Sequence, residues 1–424
     1  MTKKALALAA AVWASSIGAY AQAPNGTVYI ESNIGHVEGQ NSILAFHRDA
    51  AGHLTPIGSF PTGGTGVHPK DITLGNLPGT LGPFDSDQDL ILSPDGTRLF
   101  AVNSGSDTIA VFDVRSDGSL EAVKGSPFPS GGVQPVSVGL ADGGNILTVV
   151  NKDYDLSRPG FNAATRMPNH TTFRVNPNGG LIPIPFSTVV AGVGGMGPGS
   201  ATPSQALISP DGKLVFDANT FGTTINSFVV QPNGRLNPAA AHGTPASELG
   251  PAPPFGDLLP NPTGRPFVLG LAAHPYVPVF YAGFVFEGKA GVYQYDAAGG
   301  FSFVKSVPAG LGICWIVSNA AGNRIYTSNT LLNSITVLDT TDPLNPVKLQ
   351  DFFLAGPPAG SEQMAIDPRG EYLYVVSQKA LDLMPPDANE LHVLRLAANG
   401  TIAAQTDRLV IPVAPSLPQG IAAR

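Results

Sequence analysis

Apolar and polar positions alternate along most of this chain in short runs, and the runs recur as one repeated phrase. Ser93-Pro94-Asp95-Gly96-Thr97-Arg98-Leu99-Phe100-Ala101-Val102-Asn103 is matched by Ser209-Pro210-Asp211-Gly212-Lys213-Leu214-Val215-Phe216-Asp217-Ala218-Asn219, and Asp367-Pro368-Arg369-Gly370-Glu371-Tyr372-Leu373-Tyr374-Val375-Val376 is a third copy. In each, one apolar run enters a tight turn and a second leaves it. Pro presets φ at one turn position and Gly supplies the left-handed one. A polar loop and an alternating run follow, ending in a second turn with Asp or Asn before Gly: Asp117-Gly118, Asn178-Gly179, Asn233-Gly234 and Asn399-Gly400. This spacing predicts a unit of four strands, A to D. Such a unit cannot bury its own apolar face and must stack on copies of itself.

Six units run over 88–130, 134–191, 205–241, 267–309, 314–355 and 363–412. A seventh is split. Thr27 to Asn33, Ser42 to His47 and Leu54 to Phe60 read as strands B, C and D without an A strand. The far end supplies one, because Pro418 to Ala423 resembles the segments around Gln205 and Gln363. Closing the ring this way removes open sheet edges. The expected fold is all-β, a seven-bladed propeller of four-stranded antiparallel blades sealed by the C-terminal strand. A linear solenoid and a sandwich pair are the competing architectures, and the split unit argues against both. The short turns gather on one face of the ring. The long loops 61–87, 151–170, 192–204, 241–266 and 377–390 gather on the other, where binding is expected.

With Gly 50 and Pro 40 in 424 residues the composition is rich in turns, yet 43% hydrophobic content excludes a disordered tract. A net charge of −8 without long basic runs makes the chain a poor candidate for binding nucleic acid or anionic membrane. Lys3-Lys4, the apolar stretch Ala5 to Ala19 and the small residues to Ala21 read as a signal peptide over 1–21, leaving one domain over 24–424. An uncleaved anchor is the alternative. No other segment is apolar enough to span a bilayer. The chain is therefore expected to be exported, periplasmic or secreted, and monomeric. Cys314 is the single cysteine, so no intrachain disulfide forms.

The repeat form, the seven units and the terminal closure resemble the lactonase-type seven-bladed propellers, which include bacterial 6-phosphogluconolactonases and fungal carboxymuconate-lactonising enzymes. Leu90 to Leu120, Gln205 to Leu236 and Glu362 to Val376 carry the likeness most strongly. The resemblance implies a lactone-opening or lactone-forming activity, with site groups at the starts of A strands and in B–C loops. Arg265 corresponds to an Arg before the fifth A strand, and Glu287 to a Glu after its B strand. Three other family positions differ, reading Ser328-Asn329-Thr330, Gln134-Pro135 and Cys314-Trp315 here.

Stepping back four residues from each A–B turn gives Asp89, Gln205, Gly270, Trp315 and Gln363, with Gln134 and Gln419 at or near the position. These side chains are expected to face the central channel. Amides there could hold a hydroxyl-rich or carbonyl ligand and, with Asp89, offer oxygen ligands to Ca²⁺, although nothing in the sequence requires a cofactor. They serve equally well as partners for ordered water or loop backbone. His36, His68 and His170 fall on the long-loop face. His68 is the most pointed, with Asp71 a short turn away. His274 replaces the Ser of an A–B turn and reads as structural. Loop 151–170 holds Lys152, Asp153, Asp155, Arg158, Arg166 and His170, either a carboxylate clamp or a salt-bridged loop. Cys314 reads as a small buried residue more readily than as a nucleophile. The expected function is a lactonase-like enzyme for a small carboxylated or sugar-like substrate. In it, Arg265 orients the anion, His68 or Glu287 moves the proton and the glutamines bind. A non-catalytic propeller that binds a ligand or partner is the alternative.

Overall fold

The computed structural model describes residues 26–35, 39–67, 70–74, 77–81, 89–155, 157–192, 201–250, 263–379 and 388–424. The predicted signal peptide, His36 and His68 lie outside them.

Seven antiparallel blades are present, and the A strand of each contacts the A strand of the next all the way round. Blade 1 is the split one. Its strands B, C and D are Gly26–Glu31, Ser42–Arg48 and Leu54–Pro61, and its A strand is Gln419–Ala423 from the far end. Thr27 and Arg424 exchange backbone hydrogen bonds of 2.9 and 2.8 Å, which seals the ring. The other A strands are Leu90–Leu92, Pro135–Ala141, Leu207–Ile208, Val268–Ala273, Ile313–Ser318 and Gly360–Ile366. The predicted repeat boundaries hold to within a few residues.

The A–B turns work as their sequence implies. Gly96 and Gly212 sit at φ 67° and 72°, in the left-handed region that a side chain disfavours. Ser93 donates to Asp95 at 2.5 Å, and Ser209 to Asp211 at 2.6 Å. Hydrogen bonds from Ser93 and Thr97 pull the Asp95 carboxyl down to about 2. In blade 5, His274 Nδ1 accepts from the Tyr276 and Val277 amides, so it takes the turn-capping role.

The core is divided among the seven blade–blade interfaces. Val28, Ile30, Tyr374 and Val393 fill the gap between blades 7 and 1. Tyr29, Leu90 and Leu99 fill the next, and comparable clusters occupy the remaining five. Polar bonds tie the same interfaces: Tyr29 donates to Gly118 O, Thr172 to Gly234 O, Ser227 to Gly299 O and Tyr326 to Gly400 O. Each runs from one blade to the C–D turn of the next. Arg48, buried at the closing interface, meets Asp367 at 3.2 Å and Tyr374 OH at 2.5 Å, and covers the Tyr372 ring at 4.1 Å.

The long crossover 61–87, expected to be irregular, contains a hairpin: Lys70–Leu74 pairs with Leu77–Leu81. The alternation of Ile72 and Leu74 ahead of Gly75-Asn76 was its sequence signal.

Candidate functional site

A strands begin on the long-loop face, and most of them bulge there. Pairing slips at Val136, Gly270, Cys314, Glu362–Gln363 and Gly420. A bulge re-aims its neighbours, and here it turns them toward the next blade. Gln205 Nε2 donates to Leu271 O at 2.9 Å, while its Oε1 accepts from Leu271 N at 2.6 Å. Trp315 Nε1 donates to Met364 O at 3.0 Å, and Gln363 Oε1 accepts from Gly420 N. In blade 3 the equivalent residue is Ser137, whose Oγ accepts from Ala206 N at 3.0 Å. In each case a side chain bonds the backbone one residue past the same position in the following blade. Gly270 has no side chain to do this. Its bare α-carbon lets Cys314 and Trp315 approach so closely that an added Cβ would lie 2.9 Å from the Cys314 carbonyl oxygen.

Gln134 lies three residues before Ser137. The degenerate turn Asp142-Gly143-Gly144 hides this phase. Gln134 Oε1 accepts from Tyr154 N at 2.5 Å, and its backbone N–H donates to Asp107 Oδ1. Asp89, Gln134, Gln205, Trp315, Gln363 and Gln419 are all buried. The amides therefore serve largely as stitches between blades and loops.

Sequence reasoning passed over Glu31. It ends strand B of blade 1, pairs with Gln419 and lies at the ring seam beside Asp89. Burial, and then the Asp89 charge, push its carboxyl well above the ordinary range. Its oddity is visible only by alignment, since the equivalent positions hold Val102, Val150, Ala218, Gly283, Ser328 and Val376.

Arg265 and Glu287 converge on one crossover at the loop end of blade 5. Half-buried Arg265 donates to Thr244 O at 2.5 Å. Glu287 follows strand B (Val279–Phe284) and lies against Gly250. On the same crossover, Glu248 is held by Lys289 at 3.0 Å and by Ser306 at 2.5 Å. Burial raises the Glu287 carboxyl above its ordinary value, and its Oε2 has no hydrogen-bond partner among the described residues.

Loop 151–170 is salt-bridged. Arg158 grips Asp107 with two bonds, at 2.8 and 2.6 Å. Arg166 donates to the carbonyls of Asp153, Lys152 and Ala201 and covers Tyr154 at 4.3 Å. His170 is interior, 3.5 Å from Asp217 of blade 4. Cys314 is buried. Blade 7 holds a Ser–His pair, with Ser377 Oγ 2.8 Å from His392 Nε2. Gln405 fixes its tautomer. The amide bonds both backbone groups of Ala355, which presents Nε2–H to His392 Nδ1. The histidine proton then sits on Nε2 and donates toward Ser377, the wrong direction for activating a nucleophile. Among the described residues no group of three or more His, Cys, Asp or Glu is arranged to hold a metal ion, and no helix is long and apolar enough to cross a membrane.

No protein-family model matches this chain, and no curated protein matches its sequence. Solved structures do match. The periplasmic gluconolactonase of Pseudomonas aeruginosa superposes with a TM-score of 0.66 at 14% identity, over 94% of this chain and 99% of that one. Candidate 6-phosphogluconolactonases from Bacteroides uniformis and Bacteroides fragilis give 0.64 at 17% and 0.63 at 16%, again over 94% of this chain and over 99% and 98% of theirs. At this identity the match speaks for architecture: the chain has the seven-bladed propeller fold of the lactonase-like proteins.

Proposed function

We propose that this chain is an exported lactonase-like hydrolase acting on a small carboxylated or sugar-like lactone at the loop end of blade 5. One observation carries the reading. Glu287 is a half-buried carboxyl whose proton affinity is raised by burial, with one oxygen lacking a hydrogen-bond partner among the described residues, at the same blade end as Arg265. A carboxyl whose proton affinity is raised above the ordinary value is a better general base than an exposed one. Glu287 takes a proton from water as the water oxygen attacks the lactone carbonyl. The ring C–O bond breaks, and the proton passes to the departing oxygen, giving a hydroxy acid. Arg265 orients the substrate carboxylate. His68 is retained as a second proton carrier. The buried amides Gln134, Gln205, Gln363 and Gln419, with Asp89 and Trp315, hold the inner ends of the blades around the ligand.

The test is turnover of a lactone panel by the purified mature protein. Glu287→Gln should lower kcat by about 10²–10⁴-fold with the melting temperature retained. Absence of turnover by the wild type across the panel overturns the enzymatic reading. The second reading, a non-catalytic binding propeller, is favoured by the engagement of Gln205 and Gln363 in blade-to-blade bonds. Ligand-induced stabilisation without turnover would select it. Export predicts an N-terminus at Gln22 on protein recovered from outside the cytoplasm.

A further inference from the structure

The seam that closes the ring holds two carboxyl groups. Glu31 ends strand B of blade 1, and Asp89 precedes strand A of blade 2. Gly420 of the closing strand lies against Asp89 and Leu90, its Cβ position 3.2 Å from Asp89 Cβ, one residue from the Gln419 that pairs with Glu31.

Glu31 is 2% exposed. Its Oε1 accepts from Asn41 Nδ2 at 2.5 Å, and its Oε2 is shut off from solvent without a hydrogen-bond partner among the described residues. Asn41 cannot satisfy both oxygens. Its NH₂ group is shared with Asn103 Oδ1, and its own Oδ1 accepts from Ser32 Oγ and Ser42 N. Among the described residues no basic side chain forms an ion pair with Glu31. A second carboxyl beside this one adds like charge to an interior that disfavours even one.

We propose that a hard divalent cation, Ca²⁺ or Mg²⁺, binds between Glu31 and Asp89, with Glu31 Oε2 as a direct ligand. The donors identified are oxygens, which suits hard cations over zinc or copper. A dication neutralises both carboxylates at once. Mg²⁺ needs only one or two carboxylates because it keeps several waters, and Ca²⁺ would recruit amide carbonyl oxygens such as that of Gln419. The cation would bridge the N-terminal strand, the closing strand and blade 2, and so bind the closed ring in preference to the open chain. This site is separate from Glu287 and Arg265, the residues that carry the lactone chemistry proposed for blade 5.

The test uses the full mature chain stripped of metal with a chelator. Calorimetric titration with CaCl₂ and MgCl₂ should show one cation bound per chain. At about 100-fold excess over Kd the melting temperature should rise by a few degrees. Glu31→Gln should bind no cation and melt at the same temperature with or without it. Asp89→Asn is the second variant, and it decides the matter with the wild-type titration should Glu31→Gln fail to fold. Absence of heat and of any melting shift with either cation up to about 10 mM overturns the proposal. It leaves a shared proton as the neutralising species, revealed by a wild-type melting temperature that falls as pH rises above the ordinary carboxylate range. Equal shifts in wild type and Glu31→Gln also overturn it, by placing the cation elsewhere.

Discussion

Gln205→Ala separates a stitching amide from a ligand-binding one. Both ends of the Gln205 amide are spent on Leu271, in a buried reciprocal pair of 2.9 and 2.6 Å. Truncation leaves the Leu271 N–H and C=O without partners, in an interior that water does not reach. Each orphaned buried group costs about 1–3 kcal/mol, so the pair should cost about 2–6 kcal/mol. Gln205→Met fills the same volume without polar atoms, so it isolates the hydrogen-bond part from the cavity part. Gln205→Glu keeps an acceptor for Leu271 N but sets a carboxylate against Leu271 O, and its penalty should lessen in acid as the carboxyl takes a proton. The assay is urea unfolding followed by tryptophan fluorescence and circular dichroism, with the midpoint compared at constant slope. Met and Ala variants should both lose most of the predicted amount. A Gln205→Ala midpoint within about 0.5 kcal/mol of wild type, together with loss of ligand-induced stabilisation, would refute the stitching role and return this amide to the ligand.

Two further outcomes follow from the closing interface and from blade 7. Arg48→Met removes the cation from the buried pair with Asp367 and should cost about 3–5 kcal/mol in a thermal melt, because the carboxylate stays behind; a change below about 1 kcal/mol would mean that Arg369 and the Glu371 and Tyr372 amides are enough to satisfy Asp367. His392 is held down to about 3 by burial and then by the Arg408 charge. The unfolded chain therefore takes up a proton that the folded one refuses, so stability falls as pH drops from about 6.5 toward 3. His392→Gln should flatten that part of a pH–melting curve, and an unchanged acid slope would contradict it.

The ring was legible because its signals are local. A Pro-Asp-Gly turn or an alternating strand is written in neighbouring residues, and the split blade betrays itself by a missing A strand at one end and a spare one at the other. The site was less legible because its determinants are relations between blades. Stepping back from the turn found Gln205, Trp315 and Gln363 at equivalent positions, but not that each reaches sideways to a backbone 49 to 66 residues away. For Trp315 and Gln363 that reach accompanies a bulge in their own strand, which no periodicity announces. The three-residue offset between Gln134 and Ser137 arose where the turn motif decays. Glu31 sits in an ordinary strand pattern, and only its meeting with a residue from the next blade makes it unusual. Arg158 and Arg166 looked available as a pair because Asp107 and the Lys152 and Ala201 carbonyls lie on other segments.

The sharing of one sheet by both chain ends gives the molecule a choice of where to be cut. Thr27 and Arg424 are hydrogen-bonded neighbours, so a short linker could join the termini without moving a strand. New ends could then be opened in the crossover near Pro357-Pro358, between the Val347–Phe353 strand of blade 6 and the Gly360–Ile366 strand of blade 7. Every blade of such a permutant would be contiguous. The most distant pairings in the chain would become local, and loop-closure entropy makes distant pairings slow to form. The permutant should reach the same circle faster, with the latch replaced by a hairpin.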